Sequence, residues 1–130
     1  MYKATAESLG DSRFLATTRH SSFTMDTQGK GANPGDTLLA GLCGCMGHYV
    51  RDFLQDRRVE AGRFEVVAEA TATEDQSRLA RIVVRVDLGA LRLGEAREAE
   101  MLARMAKCKL LGTLRLACPV EIEVRRPAGA

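Results

Sequence analysis

The sequence is short of net charge, of long apolar runs and of histidine, and each shortage closes a class of function. The formal net charge is +2, and no basic run exceeds two residues, so a nucleic-acid or membrane-surface partner is not expected. No stretch approaches the roughly 18 apolar residues of a membrane span, and the opening MYKATAESLG lacks the apolar core of a secretory signal. A cytoplasmic location is the expectation. There is no glycine-rich phosphate loop, no dinucleotide fingerprint and no paired-carboxylate spacing. Internal repeats and low-complexity segments are missing too.

What is present is an ordinary soluble composition, 45% hydrophobic and 28% charged. At 130 residues that suffices for one domain, 1–130, with a single core. Four cysteines in such a chain read as reduced thiols, catalytic groups or metal ligands rather than as a disulfide framework.

Two of them lie in the most distinctive stretch, Asn33 to Leu54. Its Asn-Pro-Gly-Asp start places Pro34 in a first helical turn and Asp36 at the positive helix end. The apolar run that follows predicts a long, central, buried helix ending near Gln55. Gly41, Gly44 and Gly47 each cost roughly 1 kcal/mol there relative to alanine. Their presence predicts that another backbone packs close, from this chain or a second one.

Upstream, residues 2–8 and 13–18 predict a hairpin turning at Gly10-Asp11-Ser12, and 22–25 a third short strand. The polar, glycine-rich DTQGKGAN, residues 26–33, reads as the loop into the helix. Downstream the period changes to two. Phe64, Val66, Ala68 and Ala70 alternate with more polar neighbours, and Ile82, Val84, Val86 and Leu88 do the same beyond a turn at 74–77. These runs predict an antiparallel hairpin.

After Gly94 comes a segment rich in helix formers, acidic early and basic late as the helix dipole favours. Met101, Met105 and Cys108 share one face of it. Gly112 suggests a break there, between a helix to about Cys108 and a short piece at 112–116. Val120, Ile122 and Val124 alternate with charged residues and predict a closing strand, and the tail from Pro127 is expected to fray. Strands in blocks around two helices indicate an α+β fold with a mainly antiparallel sheet.

A cysteine on a buried helix is by default a small hydrophobe. Cys43 and Cys45 point about 200° apart on a helix, so they serve different surroundings. Cys-x-Cys with His48 offers three soft ligands, but zinc is usually held by knuckles in loops, and no metal is expected. A Cys/His nucleophile needs His20 or His48 in reach. His48 follows Cys45 by three, a spacing that seldom aligns for proton transfer.

The segment NPGDTLLAGLCGCMG resembles the region around the first cysteine of the OsmC/Ohr family, where a proline-led LLLAAL-like run precedes Ala/Gly-Cys. The resemblance places the family's reactive cysteine at Cys45, with Cys43 at a small-residue position. It also implies a second cysteine after the hairpin and second helix. Cys118, in Cys-Pro-Val, and Cys108, followed by Leu110 and Thr113-Leu114, both qualify. The family's context favours Cys108, which leaves Cys118 as packing at the start of the closing strand.

The resemblance covers nearly the whole chain and implies an intertwined homodimer with the central helices at its interface. It implies thiol-dependent reduction of hydroperoxides, especially organic ones, with Cys45 peroxidatic and Cys108 resolving. A dithiol reductant resets the pair, and no metal or organic cofactor is needed. The family's thiolate-stabilising arginine corresponds to Arg13 or Arg19. Its glutamate position is Gly35 here, and Asp36 beside it is the available substitute. Leu42, Met46, Tyr49, Met101 and Met105 are the expected pocket residues, and each also reads as plain core. The alternative is a non-catalytic module that binds a hydrophobic ligand or senses redox state, which the missing glutamate favours.

Overall fold

The computed structural model describes residues 1–60 and 62–127. The helix α1 runs over Pro34–Asp56, matching the expected stretch at both ends. Its start is set by Asn33, whose Oδ1 accepts the Gly35 N–H at 2.8 Å, with Pro34 in the first turn where a missing N–H costs nothing. Leu42, Met46, Val50, Phe53 and Leu54 form its buried face, at the three-to-four-residue spacing of one helix side.

The first sheet contains β1 (Thr5–Ser8), β2 (Arg13–Thr17) and β3 (Ser22–Asp26), antiparallel in chain order. Its expected hairpin turn falls where the sequence placed it. Asp26 ends β3 almost fully buried. Its Oδ1 accepts the Ser12 hydroxyl and the Gln28 N–H, both at 2.8 Å, which is what makes a buried carboxylate tolerable.

The second sheet is the hairpin β4 (Glu65–Ala72) and β5 (Leu79–Asp87). Val66, Ile82, Val84 and Val86 turn toward α1 and pack on the core. Two further helices, α2 (Glu95–Met105) and α3 (Lys109–Leu116), complete the elements. Met101, Met105 and Cys108 complete the core against the buried face of α1. Gly94 precedes α2 with φ of 80°, a conformation that suits glycine.

Three expectations are corrected. The helical break does not fall at Gly112, which lies within α3. It falls at Ala106–Cys108, where Cys108 adopts φ −56° and ψ 123° and its Sγ accepts the Leu111 N–H. The cysteine thus caps α3 instead of ending α2. The closing strand is also not formed: residues 117–127 have no regular structure. Val120, Ile122 and Val124 are 82%, 90% and 79% exposed. A strand exists only as part of a ladder, and this segment has no pairing among the described residues. Cys118 is accordingly exposed, not packed.

The third correction concerns the glycines of α1. At Gly47 an added Cβ would meet Val66 at 3.6 Å, and at Gly41 Leu110 at 3.6 Å, while at Gly44 it would meet nothing within 4 Å. Side chains, not a second backbone, face these glycines among the described residues. Of the tail expected to fray, Pro127 has no regular structure, and residues 128–130 lie outside the described ones. No helix among the described residues is long and apolar enough to cross a membrane.

Candidate functional site

The site is built where α1 meets the start of α3. Cys45 lies about three turns into α1, half-buried, beside the buried Met46. Cys108 is 1% exposed because the break after α2 turns its side chain back toward α1. The two sulfurs are 2.6 Å apart, Cys108 Sγ donating to Cys45 Sγ. All four cysteines are unbonded. Burial pushes the Cys108 thiol above its ordinary value, and the hydrogen bond to Cys45 pushes it the same way. Cys108 is thus held in direct contact with Cys45.

Cys43 is half-buried and faces β4 at Ala68. Burial also raises its pKa, against a smaller opposing effect of a hydrogen bond to the Ala68 backbone. It is a small apolar group in a packed setting. His48 points the other way, pairing with Asp52 at 3.2 Å and Arg51 at 3.0 Å on the exposed side of α1. Among the described residues no three His, Cys, Asp or Glu side chains converge as metal ligands.

The two arginines differ. Arg13 closes on Asp11 at 3.0 Å in the exposed first hairpin. Arg19, just past β2, lays its guanidinium over the Tyr2 ring, 4.6 Å from the centroid. Asp36 is exposed in the first turn of α1, nine residues before Cys45 and roughly 13 Å from it along the axis at 1.5 Å per residue.

Of the expected pocket residues, Leu42, Met46 and Met105 line a groove of about 540 Å³ with Ile82, Leu111 and Leu114, and Arg81 and Arg115 also border it. Met101 lines a neighbouring cavity of about 430 Å³, and Tyr49 packs against the core. Two residues near the thiols escaped the sequence reading. Lys109 follows Cys108 directly, and its Nζ donates to the Tyr2 hydroxyl at 3.2 Å. Adjacency to Cys108 was the available signal for Lys109, whereas nothing in the sequence singles out Tyr2.

These features define an α+β protein with two thiols, far apart in sequence, brought into contact between α1 and the start of α3. The pattern of the OsmC-like protein family matches residues 27–123, and the chain belongs to that family. No curated protein matches the chain. Among solved structures, an OsmC-like protein from Mycoplasma pneumoniae is 18% identical with a TM-score of 0.75, covering 90% of this chain and 89% of its own. An organic hydroperoxide resistance protein OsmC from Legionella pneumophila is 15% identical (TM-score 0.60, 88% and 89% covered). The organic hydroperoxide resistance protein OhrB of Bacillus subtilis is 17% identical (TM-score 0.57, 88% and 90% covered). At such identities the likeness carries the fold.

Proposed function

We propose that the chain is a thiol-dependent peroxidase that reduces hydroperoxides, organic ones in particular. The observation that carries this reading is the 2.6 Å contact between Cys45 and Cys108. In the proposed cycle the Cys45 thiolate attacks the distal peroxide oxygen. The O–O bond breaks, Cys45 becomes a sulfenic acid and an alcohol leaves. Cys108 then attacks the Cys45 sulfur, water departs and a disulfide forms. A dithiol reductant restores both thiols by exchange. Cys108, buried and in contact with Cys45, is placed for the second step.

Of the two arginines, Arg19 is the proposed electrostatic partner, because Arg13 is committed to Asp11. Asp36 is too far along α1 to touch the Cys45 of its own chain, so its proposed role operates across a dimer. The apolar groove beside Met46 is proposed to hold the organic part of the substrate.

A homodimer is part of the proposal. The unpaired, apolar-alternating segment at 120–124 and the open face of α1 at Gly44 both suit a second copy of the chain. Four unbonded cysteines suit a cytoplasmic setting.

The test is thiol titration of the reduced protein after one equivalent of cumene hydroperoxide or of hydrogen peroxide. Loss of two thiols per chain, absent in Cys45→Ser, is the expected result. Oxidation no faster than that of a free thiol, or persisting in Cys45→Ser, would leave the ligand-binding module as the reading. Gly35, in place of an acid, is the observation that favours that module.

A further inference from the structure

The helix α3 is a lightly held element. It is eight residues long, and none of its side chains is fully buried. Its attachment to α1 is concentrated at its start. Cys108, which caps it, is buried and touches Cys45. Leu110 lies over Gly41, and Leu111 packs on the core. The Leu111 N–H donates to Cys108 Sγ at 3.4 Å, so the first turn of α3 hangs from the same sulfur that meets Cys45.

That first turn is also a wall of the apolar groove. Leu111, Leu114 and Arg115 line the groove from α3, and Leu42 and Met46 line it from α1. Met46 follows Cys45 in the chain, and Leu111 is the hydrogen-bond partner of Cys108. The two thiols therefore join the two helices that form opposite parts of the groove lining.

Resting on the Cys45–Cys108 pairing of the reading above, we propose that the redox state of this pair gates the groove: the dithiol form holds an apolar ligand and the disulfide form releases it. Oxidation removes two protons and two electrons from the thiols. In turnover a hydroperoxide takes them, its O–O bond breaks, and an alcohol and water leave as the sulfurs bond. A contact is thereby replaced by a shorter covalent bond, which draws Cys108 toward α1. Leu111, tied to that sulfur, moves with it, and no fully buried side chain of α3 resists the shift. The wall closes on Leu42 and Met46, and the space for a ligand shrinks. Close-packed interiors respond to changes well below the size of a methyl group, so a small displacement suffices. In the proposed cycle the gate expels the product alcohol, and a dithiol reductant reopens the groove by exchange.

The experiment uses the full chain carrying Cys118→Ser, which removes the exposed thiol and with it disulfides between chains. Diamide oxidises dithiols without any peroxide, so the disulfide form is made independently of peroxidase activity, and peptide mapping identifies the Cys45–Cys108 link. The probe is 8-anilinonaphthalene-1-sulfonate, an apolar dye whose one anionic group suits a groove bordered by Arg81 and Arg115. Fluorescence titration reads its affinity in the reduced and oxidised protein. Leu114→Gln, at an exposed wall position, is expected to weaken dye binding to the reduced form.

Oxidation is expected to lower the affinity roughly tenfold, within the usual range of coupling between sites, and dithiothreitol to restore it. Cys108→Ser forms no such disulfide and keeps a capping oxygen for α3, so it is expected to bind the dye equally before and after diamide. By linkage, saturating dye raises the reduction potential of the pair by about 30 mV, the same tenfold ratio for two electrons. Equal affinity in the two forms, tighter binding after oxidation, or the same loss in Cys108→Ser overturns the gate. So does dye binding that Leu114→Gln leaves unchanged, or diamide treatment that fails to link Cys45 to Cys108. A linked protein that releases the dye, yet meets hydroperoxide no faster than a free thiol, keeps the gate and removes the peroxidase reading.

Discussion

Four cysteines of one chain meet four different environments, and burial with hydrogen bonding sorts them. Cys108 is buried and donates to Cys45, Cys43 rests against β4, and Cys118 stands exposed after α3. Limited alkylation with iodoacetamide at neutral pH is therefore expected to modify Cys118 without unfolding. Cys43 and Cys108, pushed up by burial, are expected to react only in denaturant, because the thiolate is the reactive form. Peptide mapping reads the order. For the proposed cycle, Cys108→Ser is expected to lose one thiol instead of two and to leave a sulfenic acid that dimedone traps. Immediate loss of a second thiol in that variant would exclude Cys108 as the resolving residue. Phe53, fully buried on the inner face of α1, has a purely structural part, and Phe53→Ala is expected to cost about 3–5 kcal/mol in denaturant unfolding.

Among the elements, the start of α1 and the turn between β4 and β5 carry local signals strong enough to be tested separately. Asn33 caps α1 through the Gly35 N–H. Asn33→Ala is expected to lower stability by about 1 kcal/mol, and Asn33→Ser to restore most of it. In the β4–β5 turn, Asp75 accepts from the Thr73 and Ser77 hydroxyls and the Ser77 N–H. Those bonds lower its pKa from 3.8 to about 2. A folded-state pKa below the unfolded one contributes stability above the unfolded value and loses it as pH falls through the folded one. The Asp75 contribution is thus expected to be present above pH 3.8 and to fade between there and about pH 2. Asp75→Asn is expected to flatten the stability curve in that window, and an unchanged acid-unfolding profile would exclude it.

For the molecule as a whole, the segment at 120–124 is the outstanding feature. Its alternation is that of a strand with one apolar face, yet its apolar residues are exposed and no ladder forms among the described residues. The proposed dimer predicts that the wild type sediments with twice the chain mass, and that Ile122→Asp shifts it toward the monomer. A wild-type monomer in sedimentation would remove the dimer and, with it, the proposed role of Asp36.

The elements that depend on neighbours in sequence were legible without coordinates. The α1 boundaries follow from the Asn-Pro start and the apolar period, and the β4–β5 hairpin from two alternating runs around a polar turn. The pairing of Cys45 with Cys108 came from resemblance to a family, since spacing does not reveal which distant thiols meet. Tertiary contact decided the rest. Whether Val120–Val124 becomes a strand depends on a partner for its backbone, which no local pattern supplies. The break before α3 depends on Cys108 turning inward, where its sulfur accepts the Leu111 N–H, and Gly112 is carried inside the helix. The contacts of Lys109 and Arg19 with Tyr2 join three segments that no local pattern brings together.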